Sequence, residues 1–261
     1  MRELIQVGQQ TYYIKGFTNA GIYRQGENEV YVIDPGTDEN EGREVEEVLQ
    51  SKGWKLKGIL CTHCHSDHTG ANAYLQDKYG CPVFAYGMEA VFINNSILDL
   101  MVAYGGHPID KILGSDIYAQ PCVCFDTDHA EFPKEIEVVM LPGHSMEHVG
   151  YRLPDGTFFV GDTLIESRII KKYPLSYIYN PEEVLKTLDN MKSMEASVFV
   201  PSHAEPVSDI SELIEANTEN IYEVSVMVSD LCKTTENMEE ITNGIFNRCG
   251  VRMNCEKYIL I

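Results

Sequence analysis

The chain has 261 residues, enough for one large domain or a domain with a small appendage, and its 44% apolar and 23% charged residues are those of a soluble globular protein. Forty acidic against twenty basic residues leave a formal charge of −20, which argues against nucleic acid and anionic membranes as partners. The start, Met1-Arg-Glu-Leu-Ile-Gln, lacks the apolar core of a signal peptide, and no apolar run approaches a membrane span. Eight irregularly spaced cysteines then read as reduced thiols, so a cytoplasmic protein is expected.

Taken in chain order, "TYYIKGF", "AGIYRQ" and "EVYVIDPG" read as the strands of a meander. Residues 44–53 read as a short helix, apolar at Val45, Val48 and Leu49 and stopped by Gly53. "KLKGILCTH" is a buried strand, a helix follows from Ala71 to Tyr79, and "CPVFAY" is another strand. Residues 88–132 begin with helical spacing and then turn irregular, the pattern of an inserted lid or binding loop. Strands resume at "EIEVVMLPGH", and "VGYRLPDGTFFVGD" predicts a hairpin about its Pro-Asp-Gly turn. A helix over 181–191 has Asn180 as N-cap and Pro181 in its first turn, and "ASVFVPSH" is the last strand. From about Ser208 the chain reads as an acidic helical appendage, residues 208–261, after a catalytic domain over 1–207. Its end, "KYILI", is apolar enough to ask for cover by a neighbouring copy, unless it is a truncated natural end.

"VYVID" and "FFVGD" are alike, and so are "GILCTH" and "VFVPSH". Each half therefore holds two apolar strands that finish on a polar side chain with a helix between them. That is the pattern of two stacked α/β halves whose polar strand ends share one edge.

The densest chemistry is "CTHCHSDHTG", residues 61–70. Cys61 and Cys64 have the spacing of a zinc knuckle, but none of the other cysteines supplies a second such pair. In extended chain, alternate side chains point the same way, so His63 and His65 can face one ion while Cys64 points away. Asp67 and His68 follow in the turn that opens the next helix and can serve a second ion. Imidazole suits borderline metals such as zinc, and a carboxylate compensates charge. His144 in "LPGH", Asp162 in "VGD" and His203 in "VPSH" each follow an apolar run and complete the set.

These residues, with "VYVIDPG" around Asp34, resemble the metallo-β-lactamase-fold hydrolases over roughly residues 10–207. The resemblance implies an α/β (α+β) architecture, a four-layer αββα sandwich, here with a C-terminal helical appendage. It implies His63, His65 and His144 on one metal, Asp67, His68 and His203 on a second, and Asp162 bridging them. Asp34 would hydrogen-bond the histidine loop from behind. The ions would be two divalent cations, Zn2+ first, with Fe or Mn as alternatives. His65 departs from the glutamate typical of the superfamily's diiron flavoproteins, and the pattern is closest to the glyoxalase II-like thioesterases and the lactonases.

The implied function is metal-dependent hydrolysis of a small ester, thioester or lactone by hydroxide generated at a dinuclear centre, with Asp67 orienting the nucleophile or relaying a proton. Two cations make the pocket locally positive, which favours an anionic or polarised carbonyl substrate; the basic cluster Arg168-Ile-Ile-Lys171-Lys172 is a solvated loop or helps steer such an anion. The alternatives on the same residues are an iron-dependent oxidoreductase resembling the sulfur dioxygenases, a phosphodiesterase, or a metal-stabilised module without activity. His148 reads as orienting a ligand loop or as a structural hydrogen-bonding residue. His107, His129, Tyr173, Tyr177 and Tyr179 are candidates to touch substrate or plain surface and packing residues.

Overall fold

The computed structural model describes residues 2–252. An antiparallel meander opens it: β1 (Leu4–Gln6), β2 (Thr11–Ile14), β3 (Ala20–Gln25) and β4 (Glu29–Ile33). Helix α1 (Glu39–Lys52) crosses to β5 (Lys55–Leu60), which pairs parallel with β4. The short α2 (Ser66–Thr69) and α3 (Asn72–Tyr79) lead to β6 (Val83–Ala85), parallel to β5. Three helices, α4 (Gly87–Asn94), α5 (Ile97–Tyr104) and α6 (Asp110–Leu113), precede β7 (Cys124–Asp126), which adds parallel to β6. These seven strands lie in one sheet in chain order.

The second sheet has four strands. β8 (Glu137–Met140), β9 (Val149–Arg152) and β10 (Thr157–Ile165) are antiparallel neighbours. Helices α7 (Ser167–Lys172) and α8 (Pro181–Met191) then carry the chain to β11 (Val198–His203), parallel to β10. α9 (Ser211–Cys232) and α10 (Met238–Arg248) follow. The segment "KYILI" lies outside the described residues, as does any cover for it.

Alternation along the strands explains the layering, because successive side chains leave a strand on opposite faces. In β4, Val30 and Val32 join Val45, Val48 and Leu49 of α1 in an outer cluster. Tyr31 and Ile33 of the same strand turn inward and meet Tyr151, Phe159 and Val200 of the other sheet. In β10 and β11, Phe158, Val160 and Phe199 turn outward onto Val184 and Leu188 of α8 and Ile214 of α9. Three apolar interfaces thus separate four layers, helices–sheet–sheet–helices. Each fully buried Val, Leu, Ile or Phe contributes about 1.5–3 kcal/mol.

Two local readings change. Helix α1 begins at Glu39, earlier than residue 44, because the Asp38 carboxylate accepts from the Glu41 amide at 2.9 Å and caps it. Its end at Gly53 is as expected, with φ 66° in the left-handed region. Strand β1 has no counterpart in the sequence reading; its three residues are too few to show a period.

Candidate metal centre

The parallel strands aim their carboxyl ends at one edge, where ligands of α/β sheets gather. β4 ends before Asp34, β5 runs into Thr62 and His63, and β11 ends on His203. Asp162 differs from the expected strand end. It lies within β10, whose pairing with β11 shifts register on both sides of Gly161. That irregular stretch turns the carboxylate toward the edge while the strand continues to Ile165.

All seven side chains of the expected set come together there. One ligand atom each from His63, His65 and His144 lies within 4.8 Å of the others, and the same holds for Asp67, His68, Asp162 and His203. Neither Cys61 nor Cys64 belongs to these groups. Both thiols are buried, and the Cys61 sulfur accepts from Asn72 Nδ2 at 3.2 Å. Asp162 stands between the groups. Its Oδ1 is 3.2 Å from His68 Nε2 and 3.3 Å from His203 Nε2, while its Oδ2 is 3.4 Å from His144 Nε2. Asp67 Oδ2 is 3.2 Å from His203 Nε2 and 3.5 Å from His68 Nε2.

Buried partners hold the rings in one orientation. The Asp34 carboxylate accepts from the Thr62 amide at 2.8 Å and the Thr62 hydroxyl at 2.7 Å, and lies 3.1 Å from His68 Nδ1. The Thr62 hydroxyl is 3.0 Å from His63 Nδ1, and His203 Nδ1 donates to the Phe17 carbonyl at 2.8 Å. With Nδ1 engaged, the Nε2 atoms of all three rings face the centre. His63 Nε2, His68 Nε2 and Asp162 Oδ1 are buried without a hydrogen-bond partner. Buried polar atoms are rarely left so, and one cation in each group would satisfy all three. The donor set of imidazoles and carboxylates fits divalent metal ions.

A family profile described as Metallo-beta-lactamase superfamily matches residues 13–203. The chain belongs to the metallo-beta-lactamase superfamily. The family match together with its hydrolase relatives indicates a metal-dependent hydrolase. A hydroxyacylglutathione hydrolase of Shewanella baltica is 28% identical over 211 residues, 79% of this chain and 70% of the relative. One from Rhizobium meliloti is 32% identical over 134 residues, 49% of this chain and 41% of the relative. Among solved structures, a metallo-beta-lactamase family protein of Thermus thermophilus matches with a TM-score of 0.64 at 19% identity, covering 94% of this chain and 87% of its own. The BLEG-1 B3 metallo-beta-lactamase matches with a TM-score of 0.57 at 20% identity, covering 84% and 97%. Such structural likeness bears on the fold.

In this superfamily member the electrostatics of the two groups differ. Burial disfavours the charged imidazole and takes His144 down to about 3; it holds His63 well below its ordinary range, reinforced by His68. Neutral rings ligate a metal without first losing a proton. In the second group burial again opposes charge, but Asp162 and Asp67 outweigh it and raise His203 to about 10. His68 is driven well above its ordinary range by Asp162, Asp67 and Asp34, against its burial. Burial opposes ionisation of Asp67 and Asp162 too, yet His68 and His203 hold both carboxyls well below the usual carboxylate range. A cation in the second group would displace the imidazole protons, so loading there releases protons.

His148, one of the open candidates, is fully buried and accepts the Asp162 amide at Nε2 at 3.1 Å. Tyr173 and Tyr177 line the cavity over the centre, whereas His107 and Tyr179 do not. His129 stacks on Phe125, 4.5 Å between ring centroids.

Glu89 escaped the sequence reading. It sits on α4, is fully buried, and accepts from the Cys64 amide at 2.9 Å, the Ser145 hydroxyl at 2.7 Å and the Glu147 amide at 2.8 Å. It therefore ties the loop carrying His63 and His65 to the loop carrying His144. The available signal was a lone acid inside an apolar helix, "GMEAVFIN".

Proposed function

We propose that the chain is a dinuclear hydrolase that cleaves a small ester, thioester or lactone. In this reading His63, His65 and His144 hold one divalent ion, Asp67, His68 and His203 hold a second, and Asp162 bridges them. Zn2+ is the first choice of metal, with Fe or Mn as alternatives. The observation that carries the reading is the Asp162 carboxylate, which turns one oxygen to each histidine group. Bound ions supply Lewis-acid polarisation of a carbonyl and activation of water near neutral pH. The name hydroxyacylglutathione hydrolase, borne by relatives at 28–32% identity, supports a thioester as the first carbonyl compound to test.

The protein's own groups divide the remaining work. Asp67, an ionised carboxylate in the second ligand group, would act as a hydrogen-bond acceptor that orients the nucleophile or relays a proton. It faces the cavity with its side chain 30% exposed, within reach of water. Asp34 and Thr62 keep His63 and His68 turned inward. His148 fixes the backbone from which Asp162 projects. The catalytic unit would span residues 1–207 and the appendage begin at 208, with Cys249, Gly250 and Val251 of the appendage also lining the cavity over the centre. No helix among the described residues is long and apolar enough to cross a membrane, and the described cysteines are free thiols, which suits the reducing cytoplasm.

The test is metal analysis of anaerobically purified protein joined to a screen of thioesters, lactones, phosphodiesters and β-lactams, with Asp162→Ala alongside. Two ions per chain and carbonyl hydrolysis are expected, both lost in the variant. One iron per chain with oxygen uptake on a persulfide, or preferred phosphodiester cleavage, would sink the reading.

A further inference from the structure

A cavity of about 550 Å³ opens over the two ligand groups, with His65, Asp67, His144, Asp162 and His203 in its lining. Its lining is mostly apolar: Leu100 and Ala103 of α5, Ile117, and Ile165, Ile169 and Leu175 around α7 contribute to it, together with the hydroxyl-bearing Tyr173, Ser176 and Tyr177. Phe17 stands at the rim, 66% exposed, its ring centroid 4.9 Å from that of His203. Apart from the ligand set, the charged side chains lining the cavity among the described residues are Asp99 and Lys172.

This distribution selects among carbonyl compounds. Water over apolar walls finds few partners, so an apolar group that displaces it gains free energy roughly in proportion to the area covered. A glutathione thioester brings two carboxylates and an ammonium, and the described lining offers a single cation against them. An aliphatic chain finds apolar lining in the same cavity as the ligands that would face its carbonyl. Binding pockets of this size take most of a ligand's surface from water, so the match between walls and substrate body governs selectivity.

We propose that this chamber is an acyl-chain site, and that the enzyme prefers thioesters or esters of medium-length aliphatic acids over acetyl and over glutathione conjugates. The inference rests on the carbonyl-hydrolase reading above. The reaction adds water across the acyl–sulfur or acyl–oxygen bond: the acyl carbon takes the hydroxyl, the leaving thiol or alcohol takes the proton, and the aliphatic acid that forms departs as carboxylate with release of its proton to solvent.

Two readouts test it on the full metal-loaded chain. The first is kcat/KM for N-acetylcysteamine thioesters from acetyl to decanoyl, with lactoylglutathione as the polar competitor. The second is equilibrium binding of the matching free carboxylates, from acetate to decanoate. Each added methylene is expected to raise both quantities by about fourfold until the chamber is full. Ala103→Trp, which fills part of the cavity, and Ile169→Asn, which makes its lining more polar, are each expected to end that rise at a shorter chain. Thioester hydrolysis without any chain-length dependence, or with lactoylglutathione preferred over octanoyl, overturns the acyl site and leaves the hydrolase intact. Carboxylate affinity that climbs with chain length while no carbonyl compound is hydrolysed keeps the chamber and overturns the hydrolase. No hydrolysis of any carbonyl compound, together with carboxylate affinity that does not change with chain length, overturns both.

Discussion

Replacing Glu89 with glutamine should loosen one metal group and spare the other. The wild-type carboxylate takes the Ser145 hydroxyl and Glu147 amide on one oxygen and the Cys64 amide on the other. Glutamine keeps the volume but turns an NH2 toward one of those donors, so at least one buried hydrogen bond is lost. That loss costs about 1–3 kcal/mol. Removing a group that orients metal ligands typically costs about 10–100-fold in affinity, or roughly 1.4–2.7 kcal/mol, a matching size. The effect should fall on His63, His65 and His144, whose loops Glu89 joins. His68 is held by Asp34, and His203 by the Phe17 carbonyl, neither of which Glu89 touches. Cobalt titration of chelator-stripped protein, followed by absorbance, separates two binding phases. One phase should weaken about 10–100-fold and the other stay within about twofold. Glu89→Ala strands all three donors and should weaken the same phase further, with a lower Tm. Two unchanged phases, or two that weaken together, would refute the assignment of Glu89 to one group.

Gly161 has φ +54°, and an added Cβ would lie 2.4 Å from His148 Nε2 and 2.7 Å from Thr62 Oγ1. Gly161→Ala should therefore cost about 1–3 kcal/mol in backbone strain alone and push Asp162 off its His148 anchor, lowering metal content; a variant that keeps wild-type metal affinity contradicts this. Chelator-stripped protein should lose stability in alkali. Burial opposes the charge on His203, but Asp162 and Asp67 raise its folded value to about 10, so its stabilisation is fully present below the unfolded value of about 6.5. It erodes as pH rises from there and is gone above about 10. Metal-loaded protein, with the ring already neutral, should show no such slope; equal Tm profiles for both forms would be the contrary result.

The site was legible because its residue types are scarce and its positions regular. Histidines and aspartates at the ends of apolar runs stand out beside strands such as β4 and β10, which are buried along most of their length. The paired strand patterns around Asp34 and Asp162, and around His63 and His203, correspond to the parallel pairs β4–β5, joined through α1, and β10–β11, joined through α7 and α8. Glu89 was not legible. Its three donors come from residues 64, 145 and 147, and nothing local on α4 distinguishes a buried acceptor from a solvated acid. The start of α1 was missed for a smaller reason, the Asp38 cap, which competes with apolar periodicity as a boundary signal.

The sequence by itself determined which donor atoms exist, and that strand periodicity brings them to one edge. Alternation put His63 and His65 on one side of the extended chain, and the lack of a second C-x-x-C pair set Cys61 and Cys64 aside as a zinc knuckle. Only the tertiary structure decided how those atoms divide. The register shift at Gly161 turns Asp162 between the groups, and contacts more than twenty residues apart engage Nδ1 of His68 and His203 so that Nε2 faces inward. The mostly apolar chamber likewise belongs to no single segment, since its lining comes from Phe17, α5, the stretch around α7 and Cys249 to Val251 after α10. Direction and enclosure depend on distant parts of the chain being fixed together, and a local pattern carries no information about that.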